Sequence, residues 1–150
     1  MNDEKYIVRE AKINDSRQVW GIRNHPICRQ NFHDTKEIDF KHHNVWFRNQ
    51  YFSDNDNHCY VLENKDSVVG YCRFDIKNNK YLVSIAIDQD CQGKGLGNEL
   101  LGRACKMLNA RKDVLAEIQK INIPSIKIFE KNNFEKYKED KGYYYYKLKK

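Results

Sequence analysis

The stretch Tyr81-Leu82-Val83-Ser84-Ile85-Ala86-Ile87-Asp88-Gln89-Asp90-Cys91-Gln92-Gly93-Lys94-Gly95-Leu96-Gly97-Asn98 decides how the rest of the chain is read. Residues 81–87 have the composition of a strand, and Gly93, Gly95 and Gly97 follow closely. From Leu96 the apolar residues Leu100, Leu101, Ala104, Cys105 and Leu108 fall on one side of a helix. Strand, glycine turn and helix in that order leave free N–H groups at a helix N-terminus, where the positive end of the helix dipole favours an anion. The turn therefore reads as a phosphate cradle.

Working outward, residues 58–63 and 68–76 read as strands joined through Asn64-Lys65-Asp66, and Asn78-Asn79 turns the second into the Tyr81 strand. Three antiparallel strands thus lead into the turn. Further upstream, residues 6–11 form a first strand, and Asn14-Asp15 caps a short helix carrying Val19, Trp20 and Ile22. That helix stops before His25-Pro26, because proline pushes the preceding residue out of the helical region, so Arg23-Asn24-His25-Pro26 reads as an irregular junction. A second helix is expected from about Lys36 to Tyr51, with Val45, Trp46 and Phe47 interspersed with His42 and His43.

Downstream, residues 114–118 form a strand that returns after a crossover helix and so runs parallel to the Tyr81 strand. Asn122-Ile123-Pro124-Ser125 opens another helix with proline in its first turn, facing Ile126 and Phe129 inward and ending at Asn132-Asn133. Residues 134–138 and 142–148 close the chain as a hairpin around Glu139-Asp140-Lys141. The run Tyr143-Tyr144-Tyr145-Tyr146 invites a reading as a base-stacking surface, but aromatics are favoured in strands on either face.

A chain of 150 residues with no internal repeat and no linker is one domain, residues 1–150, long enough to bury a core without disulfides or metals. Its 27 Lys plus Arg against 21 Asp plus Glu give a net charge of +6, which suits a phosphorylated ligand. Cys28, Cys59, Cys72, Cys91 and Cys105 are odd in number and have neither zinc-ligand nor redox-pair spacing, so free thiols and no metal are expected. The polar opening Met1-Asn2-Asp3-Glu4 carries no apolar signal region, and no run reaches membrane-spanning length. A cytoplasmic protein, monomer or homodimer, follows as the expectation, with no membrane partner and nucleic acid disfavoured.

Two common phosphate motifs fail at the turn. A nucleotide P-loop needs Gly-Lys followed by Ser or Thr, and Gly95 stands there; a dinucleotide fingerprint needs its third glycine where Asn98 stands. The run Gln92-Gly93-Lys94-Gly95-Leu96-Gly97 instead resembles the pyrophosphate signature of the GNAT superfamily of acyl-CoA N-acyltransferases: Gln or Arg, two residues, Gly, one residue, Gly or Ala. Ser84-Ile85-Ala86-Ile87 precedes it at the family's distance. Residues 122–134, beginning Asn122-Ile123-Pro124-Ser125, resemble a later family motif, and the element order agrees over nearly the whole chain.

The resemblance implies a mixed α/β (α+β) fold: a mostly antiparallel, twisted sheet of about seven strands, a parallel fourth and fifth strand that splay, and about four flanking helices. It implies acetyl-CoA as donor, its pyrophosphate on Gln92, Gly93, Lys94, Gly95, Leu96, Gly97 and Asn98, and its arm along the main chain of Ile85, Ala86 and Ile87. Asn122, Ser125 and Phe129 would adjoin that arm. Many relatives carry a tyrosine as acid where Phe129 stands, and phenylalanine cannot donate a proton. Other relatives place a glutamate on the fourth strand, where this chain has Ser84 and Ala86.

Acetyl transfer still needs a neutral amine and a stabilised oxyanion. His43 is the first candidate base, because imidazole is neutral near working pH. Glu117 is the second, Ser84 is placed to position a water, and orientation alone supplies part of the acceleration. On the acceptor side, Arg23-Asn24 followed by His43-Asn44-Val45-Trp46-Phe47 resembles members that acetylate nucleotide-linked amino sugars in surface-polysaccharide synthesis. Trp46 or Phe47 would stack on a sugar or base, and Arg23 and Arg73 would meet a diphosphate. Acetylation of a protein N-terminus or ribosomal protein is the alternative transfer reaction, and a non-catalytic acyl-CoA-binding module the alternative of another kind.

Overall fold

Along the central strands, Cys59, Val61 and Tyr71 face one side while Tyr60, Leu62, Cys72 and Phe74 face the other, and all seven are buried. A strand apolar on both faces needs cover on both. In the computed structural model, which describes residues 5–150, helices supply it. Residues 1–4, the polar opening of the chain, lie outside the described residues.

The strands are β1 (Ile7–Glu10), β2 (His58–Asn64), β3 (Ser67–Lys77), β4 (Lys80–Ile87), β5 (Val114–Gln119), β6 (Phe134–Glu139) and β7 (Tyr143–Leu148). The helices are α1 (Ser16–Arg23), α2 (Pro26–Arg29), α3 (Phe40–Tyr51), α4 (Leu96–Leu108) and α5 (Ile123–Lys131). One seven-stranded sheet runs β1-β2-β3-β4-β5-β7-β6. Among the described residues only β4 and β5 are parallel neighbours. On one face Val19 and Ile22 of α1 and Phe47 of α3 pack against Val61, Val68 and Tyr71. On the other, Leu100, Leu101 and Ala104 of α4 and Phe129 of α5 pack against Leu62, Phe74 and Ile118. No helix among the described residues is long and apolar enough to cross a membrane.

The fold expected from the sequence is present, with two corrections and one feature on which the sequence reading is silent. Arg23–Pro26 is not simply irregular, because Pro26 opens the four-residue α2: its missing N–H is one the first turn leaves unpaired anyway, and His25 Nδ1 accepts from Ile27 N at 3.2 Å. Helix α3 begins at Phe40 rather than Lys36, because Asp39 caps it, its carboxylate accepting from His42 N at 3.4 Å. Residues 30–39 are thereby left as a strap across the sheet. Finally, the closing hairpin inserts its second strand, so that β7 lies between β5 and β6. Tyr146 on β7 is buried and its hydroxyl donates to Glu130 Oε2 at 2.8 Å, which gives that tyrosine a packing role.

Candidate active site

The site begins where the parallel pair separates. β4 pairs with β3 from Lys80 to Ile87, but with β5 only at Tyr81↔Val114 and Leu82↔Leu115. Tyr81 N donates to Asp113 O on the β5 side, and Asp88 N donates to Val69 O on the β3 side. Strand alternation therefore turns the main-chain groups of Ile85 and Ile87 toward the gap. Those of Ala86, whose partner is Tyr71, turn toward β3. Of the three residues expected to bond a cofactor arm, Ala86 is thus placed to supply wall rather than hydrogen bonds.

The gap is a slot of about 180 Å³ lined by these strands and by Asn122, Ser125, Ile128 and Phe129. Asn122 caps α5, accepting from Ser125 N at 3.4 Å, and Phe129 is 2% exposed with its ring edge-on to Phe134 at 4.9 Å. Cys28 also opens into the slot, and burial pushes its thiol up to about 11, so it stands there as a thiol rather than a nucleophilic thiolate.

At the slot's end lies the glycine turn. Gly93 and Gly95 have φ of +80° and +74°, with nothing within 4 Å of where a Cβ would stand, so the turn presents bare backbone to open space. Lys94 and Asn98 are exposed, and Asn98 Oδ1 accepts from Asn132 Nδ2 at 2.9 Å. Gln92 Nε2 donates to Ile87 O at 2.8 Å, so this side chain ties the turn to the strand end. Leu96 is buried, leaving only its main chain for a ligand. A Cβ on Gly97 would come within 2.7 Å of Ile128 Cδ1, so its smallness serves the packing of α4 on α5. Open backbone, a helix N-terminus and a narrow slot onto which the N–H groups of Ile85 and Ile87 face suit a thin arm that ends in a diphosphate.

A second cavity, of about 540 Å³, adjoins the slot on the acceptor side. Ser84, Glu117, Val83, Asn31 and Phe32 line both, so the two spaces meet at Ser84 and Glu117. Deep in the acceptor cavity stand Arg23 and Arg73. Arg73 Nη1 donates to Asp75, whose other oxygen accepts from Tyr51 OH at 2.7 Å. Both arginines face the Trp46 ring, Arg23 at 4.3 Å and Arg73 at 5.2 Å. Arg23 Nε and Arg73 Nε are buried without a partner among the described residues. Burial and then the charge of Arg73 lower the pKa of Arg23; burial also opposes the charge of Arg73, but Tyr51 and Asp75 outweigh it and raise its pKa. Arg73 is thus paired with a carboxylate while Arg23, among the described residues, hydrogen-bonds only the neutral His43 ring, which leaves charge for an anionic ligand. Around the mouth stand Asp34, Glu37 and Asp39 together with Lys36 and His42, a mixed rim of exposed charges.

The remaining expected residues are placed differently. His43 is 1% exposed and lines neither cavity. Its Nε2 lies 3.0 Å from Ser16 O, a pure acceptor, and its Nδ1 lies 3.2 Å from Arg23 Nη1, a pure donor. The ring is therefore the neutral Nε2–H tautomer with its lone pair occupied, and burial followed by the Arg23 charge lowers its pKa to about 4. As a base facing an amine, His43 is corrected: it stands behind Arg23 and holds it. Phe47 is fully buried in the α1–α3 core, Trp46 is covered by the arginines, and neither lines a cavity. Asn24 Oδ1 accepts from Ile38 N at 2.7 Å and so secures the strap.

Sequence reading missed His33. Its Nε2 lies 3.0 Å from Glu117 Oε1, and its ring stacks on Tyr143 at 4.5 Å. The polar segment carrying it has no periodicity, and its partner lies 84 residues away.

Comparison with known proteins agrees with this geometry. The model of the Acetyltransferase (GNAT) family matches residues 25–134. The chain is 29% identical over 143 residues to Acetyltransferase PseH of Campylobacter jejuni, covering 93% of this chain and 89% of that one. It is 37% identical over 68 residues to an N-alpha-acetyltransferase of Saccharolobus solfataricus, 43% of this chain and 40% of that protein. Among solved structures, an N-acetyltransferase from Staphylococcus aureus Mu50 superposes with a TM-score of 0.80 at 25% identity, over 96% of this chain and 98% of that one. The fold is also that of yncA from Salmonella typhimurium, solved with its cofactor acetyl-CoA, with a TM-score of 0.82 at 20% identity over 95% and 92% of the two chains. The chain belongs to the Acetyltransferase (GNAT) family and is an acetyl-CoA-dependent N-acetyltransferase.

Proposed function

We propose that this enzyme acetylates the primary amine of a nucleotide-linked amino sugar. The observation that carries the reading is the pair Arg23 and Arg73, two guanidiniums on one Trp46 ring of which, among the described residues, only Arg73 is paired with a carboxylate, Asp75, in a cavity that opens beside Ser84 and Glu117. An amine carried on a diphosphate satisfies both parts of that cavity, with phosphate oxygens on the arginines and the ammonium at Glu117, where the cavity meets the slot. A polyamine would place a cation against Arg23 and Arg73.

Acetyl-CoA, when bound, supplies an acetyl thioester. Gly93 through Gly97 would hold the pyrophosphate by their N–H groups, and Ile85 and Ile87 the arm by theirs. Glu117 takes the ammonium proton, and Ser84 positions a water between amine and carboxylate. With Phe129 in place of a tyrosine, the proton that ends on sulfur comes from the amine as the amide forms. His43 acts by fixing Arg23.

Release of CoA thiol across a panel of nucleoside-diphosphate amino sugars, polyamines and peptides tests the reading. The expected result is a kcat/KM for an amino-sugar nucleotide at least about tenfold above any polyamine or peptide, as one charged contact provides. Preference for a polyamine, or no turnover at all, would sink it. A second reading, acetylation of a peptide N-terminus, is favoured by the 37% local identity to an N-alpha-acetyltransferase, and the peptide arm of the panel decides between them.

A further inference from the structure

We propose that His33 forms a proton relay with Glu117, carrying the proton of the incoming ammonium from the acceptor cavity to solvent. The inference rests on reading Glu117 as the base. Glu117 stands where the donor slot and the acceptor cavity meet, with its side chain 28% exposed. A carboxylate there can take a proton but must shed it before the next turnover. His33 Nε2 is 3.0 Å from Glu117 Oε1, and the His33 side chain is 66% exposed, so one end of the imidazole touches the carboxylate and the rest meets water. Nδ1 makes no hydrogen bond among the described residues.

The ring is held in a defined plane despite its exposure. It lies on Tyr143 of β7 with centroids 4.5 Å apart and planes 13° apart. The strap has attachments besides His33. Gln119 Nε2 donates to Gln30 O at 3.1 Å, Arg29 Nη1 donates to Thr35 O at 3.1 Å, and Asn24 holds Ile38 N. An imidazole on a strap that has other attachments, fixed between a carboxylate and solvent, is arranged for transfer. Histidine is the side chain suited to accept and return a proton near neutral pH.

The protons balance. The reaction converts an ammonium and acetyl-CoA into an N-acetyl amide, CoA thiol and one free proton. Of the two protons the nitrogen loses, one ends on the CoA sulfur. The other passes from nitrogen to Glu117, whose ionised form had accepted from His33 Nε2–H; solvent exchange shifts the ring to its Nδ1–H tautomer, Nε2 then takes the proton from Glu117, and loss of the Nδ1 proton to water restores the Nε2–H that bonds the carboxylate. His33 thus acts through Glu117, from a place on the wall of the acceptor cavity.

The test compares the full-length enzyme with His33→Gln, His33→Ala and Glu117→Gln, using the panel amine that wild type turns over fastest. The expected result is a kcat lower by about a hundredfold in His33→Gln, the lower end of general acid–base contributions, with acceptor KM within about threefold of wild type. Added imidazole restores part of the His33→Ala rate and none of the Glu117→Gln loss. If His33→Gln turns over at the wild-type rate while Glu117→Gln is slow, the relay fails and the base stands. A raised acceptor KM in His33→Gln without imidazole rescue of His33→Ala also overturns the relay, in favour of a pin for the strap. Wild-type turnover by Glu117→Gln removes the base reading and the relay together, and so does a panel in which no amine is acetylated.

Discussion

His43 illustrates how much a side chain's partners change its chemistry. In the sequence it is a histidine on an aromatic helix beside a candidate site; in the fold it is buried between Ser16 O and Arg23 and its pKa falls to about 4. An unfolded histidine titrates near 6.5, so as pH falls the unfolded chain takes up a proton that the folded chain refuses until about 4. The stability this neutral ring contributes is complete above 6.5 and is lost progressively toward 4. Wild type is expected to lose urea resistance between pH 7 and 4.5 more steeply than His43→Gln, and parallel curves would reject the assignment. Arg73 is the converse case, an expected substrate residue that does line the acceptor cavity. Arg73→Lys keeps the charge but loses the planar fork that meets phosphate oxygens in pairs. It should raise the acceptor KM about tenfold and leave that for acetyl-CoA unchanged, since a hydrogen bond to a charged group contributes about 1.5–3 kcal/mol. Arg73 was legible because its strand and its charge were; the burial of His43 was not, because Ser16 lies 27 residues away.

The glycine turn and its helix behave as a unit whose parts have separate tasks. Gly93 and Gly95 serve backbone conformation, whereas Gly97 serves the contact of α4 with α5. Alanine at 97 gains about 1 kcal/mol of helix propensity over glycine, and overpacking costs about 1–3 kcal/mol. The clash is with Ile128 Cδ1, the mobile tip of a side chain that also lines the donor slot. Gly97→Ala is therefore expected to stay within about 1 kcal/mol of wild type by chemical denaturation, while Ile128 moves into the slot and the acetyl-CoA KM rises several-fold. Pairing it with Ile128→Val should restore KM; a double variant no better than the single one would count against this division of labour. The strap at 30–39 was the least legible element. Asn24, Trp20 and Gln119 hold it through Ile38 and Gln30, none of them its sequence neighbours. Its effect on α3, which starts at Phe40, comes from the Asp39 cap.

For the molecule as a whole, the decisive feature is one sheet opened along one seam. Both faces of β2 and β3 are buried by helices, yet β4 and β5 share only two register pairs before they part. Peptide groups of Ile85 and Ile87 are left facing the gap, an arrangement that a bound arm would complete. Their amides are expected to exchange with deuterium quickly in the free enzyme and to slow when acetyl-CoA is added, while amides within the β2–β3 pair stay protected throughout. Equal protection of Ile85 and Ile87 with and without acetyl-CoA would place the arm elsewhere. The order of strands and helices, the parallel return of β5 and the donor turn are properties of the sequence alone, because periodicity, caps and glycine positions act over a few residues. The insertion of β7 beside β5, the length of the seam and the meeting of Ser84, Glu117 and His33 were decided only by tertiary structure. Those depend on which distant backbones and side chains come to share a boundary with water. Residues 81–98 read by themselves as a phosphate cradle and, with residues 122–134 and the element order, carry the resemblance that implies the donor, whereas the acceptor side exists only once α1, the strap and β5 have closed around Arg23 and Arg73.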